Sequence, residues 1–356
     1  MRIAVVGAGP AGLSLASRID ADVYEEHQEV GLPRHCTSLV SGRSAGEAGI
    51  PSDVVLNKYD GLLVTDLQGR RIWFRVRDRI YLLDRPGLER RLSDGVPSIA
   101  LGVRVEAIRG RYVYTSAGRG GPYDYIAIAE GAVRRFSRIY GEVDRLPGLQ
   151  VDVRSNKGLS GIVVVYNRKL SDAYFSWIVE IDRGIYRVGL ADRCCVVDKL
   201  RKLVKLVGGT PVGKPFGGGV LAGPPVRRLV HGHIALLGDA AGLTKPLSGG
   251  GIILAVKSGA ALAEAIKSGE PEAYEHSMRP TVLRLSAAKA VYKLMYVRGF
   301  VHEALRIFDG SEFLAVDYDD HVKTLALAMA ASSKAPRALV SALRHLMSRD
   351  AGRPST

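Results

Sequence analysis

The chain has 356 residues, an apolar fraction of 47% and a formal charge of +14 at pH 7, a globular composition with room for more than one packed unit, which excludes a disordered or fibrous chain. Its three cysteines, Cys36, Cys194 and Cys195, provide neither a disulfide framework nor a zinc spacing, so a reducing cytoplasmic setting and no metal site are expected. Basic residues are spread along the whole chain without a nucleic-acid module, which leaves an anionic lipid, a phosphorylated substrate or a solvated surface as the meaning of the charge.

The opening MRIAVVGAG lacks the basic region, long apolar segment and cleavage site of a secretory signal. It reads instead as a strand, RIAVV, running into GAGPAG and then the apolar-periodic GLSLASRI. That order is strand, glycine turn, helix, and ADVYEE follows as a second parallel strand to complete a βαβ unit. GLPRHCTSLVSG, residues 31–42, is a polar, glycine-bounded loop that carries Cys36. Next, YDGLLVTD and RRIWFRV around LQG read as a hairpin, and DRPGLERRLSDGV as a helix entered after Asp84. Strands are expected at VRVEAI, RYVYTS and DYIAIAEG, then at GIVVVYN, AYFSWIVEID and GIYRVGLAD, the last three as an antiparallel sheet. Cys194 and Cys195, just after that sheet, read as packing residues, and the glycines of GGTPVGKPFGGG as loop. LVHGHIALLGDAAG resumes the strand-then-glycine pattern, and the periodicity is helical from about residue 250 onward. Lys257, Glu264 and Lys334 interrupt the apolar segments short of the ~20 residues a spanning helix needs. Asn and Gln are scarce and Arg abundant, a composition that leans towards a thermophile.

GAGPAG is the sharpest functional signal. Gly7 permits a tight turn, Gly9 lets the backbone approach a pyrophosphate, and Gly12 lets the helix pack closely on the strand. Glu25, at the end of the second strand, is placed to accept hydrogen bonds from a ribose, with Glu26 as the alternative. It comes only 13 residues after Gly12 (25 − 12), shorter than the fingerprint's usual ~18, which a helix shortened by one turn accommodates. A second signal, GDAAGLTKPLSGGGI, supplies what a flavin needs beyond the pyrophosphate. Asp239 is placed to hold ribityl hydroxyls, and Gly249, Gly250 and Gly251 open a long helix whose N-terminal N–H groups suit the charge of a reduced isoalloxazine.

These motifs, with VYEEHQEVGLPRHCTSLVS, LLDRPGLERRL and IAEGAVRRFSR between them, resemble the FAD-dependent geranylgeranyl reductase family, a branch of the p-hydroxybenzoate hydroxylase-like fold, over roughly residues 1–270. The resemblance implies FAD contacts from Gly7, Gly9, Ala11, Gly12, Glu25, Cys36, Thr37, Arg85, Val105, Asp239, Gly250, Gly251 and Ile252. For Arg85 a helix-cap salt bridge is the alternative. The family's ADG appears here as AEG, with Glu130 in the aspartate's place. Its aromatic substrate signature is approached by FSWIVE, with Phe175 and Trp177 as substrate contacts or plain sheet packing, and Tyr174 on the opposite strand face. The resemblance also places Cys36 by the isoalloxazine. An isolated double bond accepts hydride only if a proton reaches its other carbon, and a thiol or the water it orders is a donor. A structural or redox-sensing thiol is the alternative for Cys36, while Arg34 and His35 either tune that loop or face solvent.

The fold expected is α/β: a Rossmann-like FAD-binding domain (1–50, 83–135, 225–270), an inserted antiparallel substrate sheet (51–82, 136–224) and a helical C-terminal region (271–356). The activity implied is reduction of C=C bonds in geranylgeranyl chains of ether lipids or their precursors, with NADPH or reduced ferredoxin as electron donor. No second glycine fingerprint chooses between the donors. The C-terminal helices are expected to close a tunnel for a lipid chain, to rest peripherally on the inner face of an anionic membrane, or simply to pack. A flavin monooxygenase or halogenase, and a non-catalytic prenyl-lipid-binding flavoprotein, are the rival readings.

Overall fold

The computed structural model describes residues 1–315 and 317–347; the expected helical stretch over 348–356 lies outside the described residues. Ile3–Val6 (β1) is buried at every position, as the middle strand of a parallel sheet covered on both faces requires. The glycine turn leads into α1 (Pro10–Ala16), entered through a proline in its first turn. With only seven residues, α1 returns the chain early into β2 (Asp22–Glu25), which accounts for the short spacing from Gly12 to Glu25.

The predicted hairpin is longer than its apolar pattern suggested, with β3 spanning Val55–Thr65 and β4 Arg71–Leu83. A helix, α2 (Arg85–Ser93), follows directly after Asp84. β5 (Tyr125–Ile128) returns to pair in parallel with β1, Val5 against Ala127. After β6 (Arg145–Arg154), β7 (Ile162–Val165), β8 (Ser176–Asp182) and β9 (Ile185–Ala191) form an antiparallel meander, with β6 pairing antiparallel to β9 and β7 joining β3 in parallel. After α3 (Val196–Val207) the chain forms β10 (Phe216–Leu221) and β11 (Ile234–Leu236). The rest is α4 (Ile252–Lys267), α5 (Ala273–Tyr292), α6 (Phe300–Ile307), β12 (Glu312–Ala315), α7 (His321–Ala330) and α8 (Ala335–Met347).

Two sheets organise the described residues. One has six strands in the order Val230–His231, β11, β5, β1, β2, Ile99–Leu101, and the other ten, including β3, β4, β6–β10 and β12. VRVEAI and RYVYTS form neither; with residues 118–120 they make a separate three-stranded sheet.

Three local expectations are corrected. The glycine run of GGTPVGKPFGGG is strand β10, not loop. A Cβ on Gly217 would fall 2.1 Å from the Gly148 carbonyl oxygen, so the strand exists because it lacks side chains there. The helical C-terminal region contains strand β12, which pairs in parallel with β4 (Phe313 against Phe74) and so adds to the second sheet. Cys194 and Cys195 are exposed rather than packed, because Cys195 takes a left-handed φ of 60° at the start of α3 and turns both thiols outward, where its Sγ lies 3.0 Å from that of Cys194.

Candidate functional site

The two glycine signals, more than 200 residues apart in the chain, meet across α1 and α4. A Cβ on Gly12 would sit 2.0 Å from the Gly7 carbonyl oxygen and 3.0 Å from Val5 Cγ1, so α1 lies directly on its own turn. On the other side, a Cβ on Gly259 of α4 would fall 2.3 Å from the Ala11 carbonyl oxygen, and Ser14 Oγ donates to the Val256 carbonyl at 2.7 Å. Gly7 itself has φ 105°, and a side chain there would strike the Ala129 carbonyl at 2.5 Å. A Cβ on Gly9 would meet nothing within 4 Å, since Gly9 faces open space.

That space is one cavity of about 1010 Å³, lined by every expected site residue except Gly12, which lies within α1 and packs against its own turn. The lining brings together Gly7, Gly9, Ala11, Glu25 and Val105 with Cys36, Thr37, Arg85, Asp239, Gly250, Gly251 and Ile252, and with Phe175 and Trp177. Glu25 is held in place by the glycine turn, accepting from the Ala8 N–H at 2.8 Å and from the His27 N–H at 2.9 Å. Glu26 instead pairs with Arg104 at 3.1 Å on the surface. Glu130 folds back to accept from the N–H groups of Phe136 at 3.0 Å and Ser137 at 2.7 Å, so it ties its own loop together.

Asp239 is the most perturbed carboxylate of the cavity. Burial pushes its pKa up to about 6, against a smaller downward pull from Arg85, and no donor among the described residues offsets that burial. Ser248, beside it on the cavity wall, has a buried hydroxyl that likewise lacks a partner. A buried unmatched carboxylate and hydroxyl on the wall of a cavity that also holds the open Gly9 are what a polyhydroxylated cofactor would satisfy, so these residues fit a flavin.

The Asp239 shift has a measurable consequence for the flavin-free protein. Between about pH 4 and 6 the folded state holds a proton that the unfolded state has released, so Asp239 makes stability fall as pH rises through this window. Relative to the parent, Asp239→Asn is expected to gain stability from pH 4 to 6, by at most about 3 kcal/mol for a shift of about two units. Urea unfolding of both proteins across this range checks it, and a flat difference refutes it.

The loop carrying Cys36 is tied to the second sheet. Thr37 Oγ1 donates to Gln150 Oε1 at 2.7 Å, and Trp177 Nε1 donates to the same oxygen at 3.2 Å. Gln150 is 2% exposed; a glutamine buried in a β-rich stretch was the one signal for it. Cys36 is half-buried, and its Sγ accepts the Ser38 N–H at 3.3 Å, leaving the S–H free to donate. Arg85 both lines the cavity and pairs with Glu89 one turn along α2, so its two expected roles coexist. His35 lines the cavity mouth while staying exposed to solvent, and desolvation together with the nearby Arg85 charge lowers its pKa. Arg34 packs its guanidinium over Phe216, 5.2 Å from the ring centre.

A second polar cluster was not anticipated. Lys245, from the stretch between Asp239 and the glycine run, pairs with Asp319, whose Oδ2 also accepts the Ser41 N–H at 3.3 Å. Tyr318 and His321 line the same wall, with the Lys245 ammonium 5.4 Å from the Tyr318 ring centre. Burial, then the Lys245 charge, pushes His321 down to about 4, so it is neutral at pH 7. Only the DYDDH run inside an otherwise apolar region hinted at this cluster.

Beyond Cys36 the cavity turns aromatic and then aliphatic. Tyr174 and Phe175 stack with ring centres 4.4 Å apart, and both approach Tyr296. They were expected on opposite strand faces, but β8 begins only at Ser176 and the bend before it turns both rings to one side. Past them, Leu305, Phe308, Phe313 and Met329 continue the wall to Ala338 and Leu339 of α8.

No family model matches the chain. A digeranylgeranylglycerophospholipid reductase of Methanopyrus kandleri is 26% identical over 302 residues, covering 72% of this chain and 78% of its own. A geranylgeranyl bacteriochlorophyll reductase-like protein of Thermoplasma acidophilum shares the fold with a TM-score of 0.78 at 19% identity, over 97% of this chain and 98% of its own. The chain is similar to these geranylgeranyl reductases in sequence and in fold. Those relatives are reductases, which supports an enzyme. The same fold carries oxygen chemistry elsewhere: p-nitrophenol 4-monooxygenase of Pseudomonas putida matches with a TM-score of 0.61 at 16% identity, over 97% of this chain and 96% of its own. Fold alone therefore does not assign the reaction of this geranylgeranyl reductase relative. No helix among its described residues is long and apolar enough to cross a membrane.

Proposed function

We propose that this chain acts as a geranylgeranyl reductase, holding FAD and saturating C=C bonds in geranylgeranyl chains of an ether lipid or its precursor. The observation that carries the reading is that one cavity is lined by the open Gly9, the unmatched Asp239 and Ser248, the Cys36 thiol, and a set of aromatic and aliphatic side chains. Its volume of about 1010 Å³ is at the upper limit of ordinary ligand pockets, ~300–1,000 Å³, as a cofactor plus a long apolar chain requires. Gly7, Gly9 and Ala11 would take the pyrophosphate, Glu25 and Val105 the adenosine end, and Arg85, Asp239 and residues 250–252 the flavin end. Reduced FAD would supply the hydride, with NADPH or reduced ferredoxin as the source of electrons. Phe175 and Trp177 would bound the isoprenoid, and Cys36 would hold a proton at Sγ for the alkene carbon that does not receive hydride.

The test is anaerobic: the flavoprotein is reduced with dithionite, a geranylgeranylated lipid is added, and flavin reoxidation is followed together with the lipid's mass. Two hydrogens gained per double bond support the reading. A flavin that waits for oxygen indicates a monooxygenase, and lipid binding without reoxidation indicates a binding protein. Cys36→Ala is expected to keep its flavin and slow reoxidation by at least about tenfold, the low side of general-acid effects; full activity would remove the thiol from proton delivery.

A further inference from the structure

The far wall of the cavity is also part of the outer surface. Ala338, Leu339 and Ala342 of α8 line the cavity, and Ala338 is completely buried. Turning around the same helix, Leu339, Val340, Leu343, Leu346 and Met347 are 56%, 50%, 56%, 50% and 79% exposed. Spacings of three, four and seven residues put them in one stripe, and Arg337 and Arg344, seven apart, fall along its outer border. Val297, 51% exposed, is held beside the stripe because Arg298 donates to the carbonyls of His345 and Leu346 at 2.8 and 2.7 Å.

We propose that α8 docks this protein on an anionic lipid bilayer and forms the port through which an isoprenoid chain enters the cavity. Apolar side chains flanked by arginines on a short helix suit immersion just below the headgroups, with the guanidinium groups at the phosphate level. The chain's +14 charge adds attraction to an anionic surface. A second copy of the chain is a poorer occupant: six exposed side chains fall short of the ~20–30 residues a side of a standard protein interface. Because cavity wall and exposed stripe adjoin on one helix, an acyl or prenyl chain passing from bilayer to cavity crosses no water. The identity of that chain rests on the function proposed above; the docking does not.

The experiment is flotation of the full flavin-loaded chain with vesicles of phosphatidylcholine, alone or with phosphatidylglycerol. Binding to the anionic vesicles is expected, with a drop of at least tenfold in Leu343→Asp/Leu346→Asp and loss of the anionic preference in Arg337→Glu/Arg344→Glu. The leucine variant is expected to keep the parent's flavin absorbance per protein and melting temperature. Met347→Asp, at the most exposed position, carries the same test if the double variant does not fold. Unchanged flotation in the leucine and Met347 variants overturns the proposal. So does a parent that ignores vesicles and forms a dimer that these substitutions dissociate. A protein that floats as expected but never reoxidises its flavin with lipid would remove the reductase reading and leave the docking surface standing.

Discussion

Gly12→Ala is expected to emerge from purification without flavin and to melt below the parent, whereas Gly9→Ala is expected to lose flavin affinity while keeping the parent's fold stability. The contrast follows from what each new methyl group meets. At position 12 it falls 2.0 Å from a backbone oxygen and 3.0 Å from Val5, and the helix cannot retreat because its other face is closed by α4 at Gly259. Overpacking costs ~1–3 kcal/mol where side chains can yield; against backbone on both faces the upper end, about 3 kcal/mol, is expected. In a chain of 356 residues, whose unfolding entropy at ~2.1 cal/mol/K per residue is large, that corresponds to a fall of roughly 4 °C in melting temperature. At position 9 the methyl group meets no protein atom within 4 Å, so its effect falls on whatever approaches the turn from the cavity. The flavin absorbance per protein and the melting temperature of the flavin-free forms measure the two effects separately. If Gly9→Ala bound FAD as tightly as the parent, the open space at Gly9 would not be the pyrophosphate site.

What the sequence made legible is what local geometry determines. Gly7, Gly9 and Gly12 take a geometry set within one turn, and their spacing announces that geometry before any long-range contact exists. Glu25 was legible for the same reason, once a seven-residue α1 absorbed its short spacing. Strand β10 was not, because its glycines look like loop until β6 lies against them; the pairing of Gly217 with Leu149 is information from 68 residues away (217 − 149). Tyr174 and Phe175 were assigned opposite faces on the assumption of an unbroken strand, and a bend removed that assumption. Gln150 carries no motif, yet it joins the Cys36 loop to Trp177, 113 and 27 residues from its two donors. Polar groups that matter because of what is folded over them have no local signature.

The Lys245–Asp319 pair is the strongest example, and breaking it is expected to be the most destabilising single change at the site. Their side chains are 13% and 11% exposed. Burial alone would raise the Asp319 pKa, but the Lys245 ammonium outweighs it and holds the carboxylate below its usual range. Stability from this pair is therefore present above about pH 4 and lost as the pH falls through the lowered value. Removing one partner leaves the other charge in a poorly hydrated place, which costs ~3–5 kcal/mol. Asp319→Ala also releases the Ser41 N–H, at the end of the segment that carries Cys36, so the reaction chamber loses its closing contact. Lys245→Met/Asp319→Leu, which removes both charges and keeps apolar volume, is expected to recover more than half of the loss. Urea unfolding of the two single variants and the double variant completes the cycle. Losses under about 1 kcal/mol in both singles would mean that water reaches the pair, and that the segment from Asp317 to His321 is held against the cavity by its apolar contacts instead.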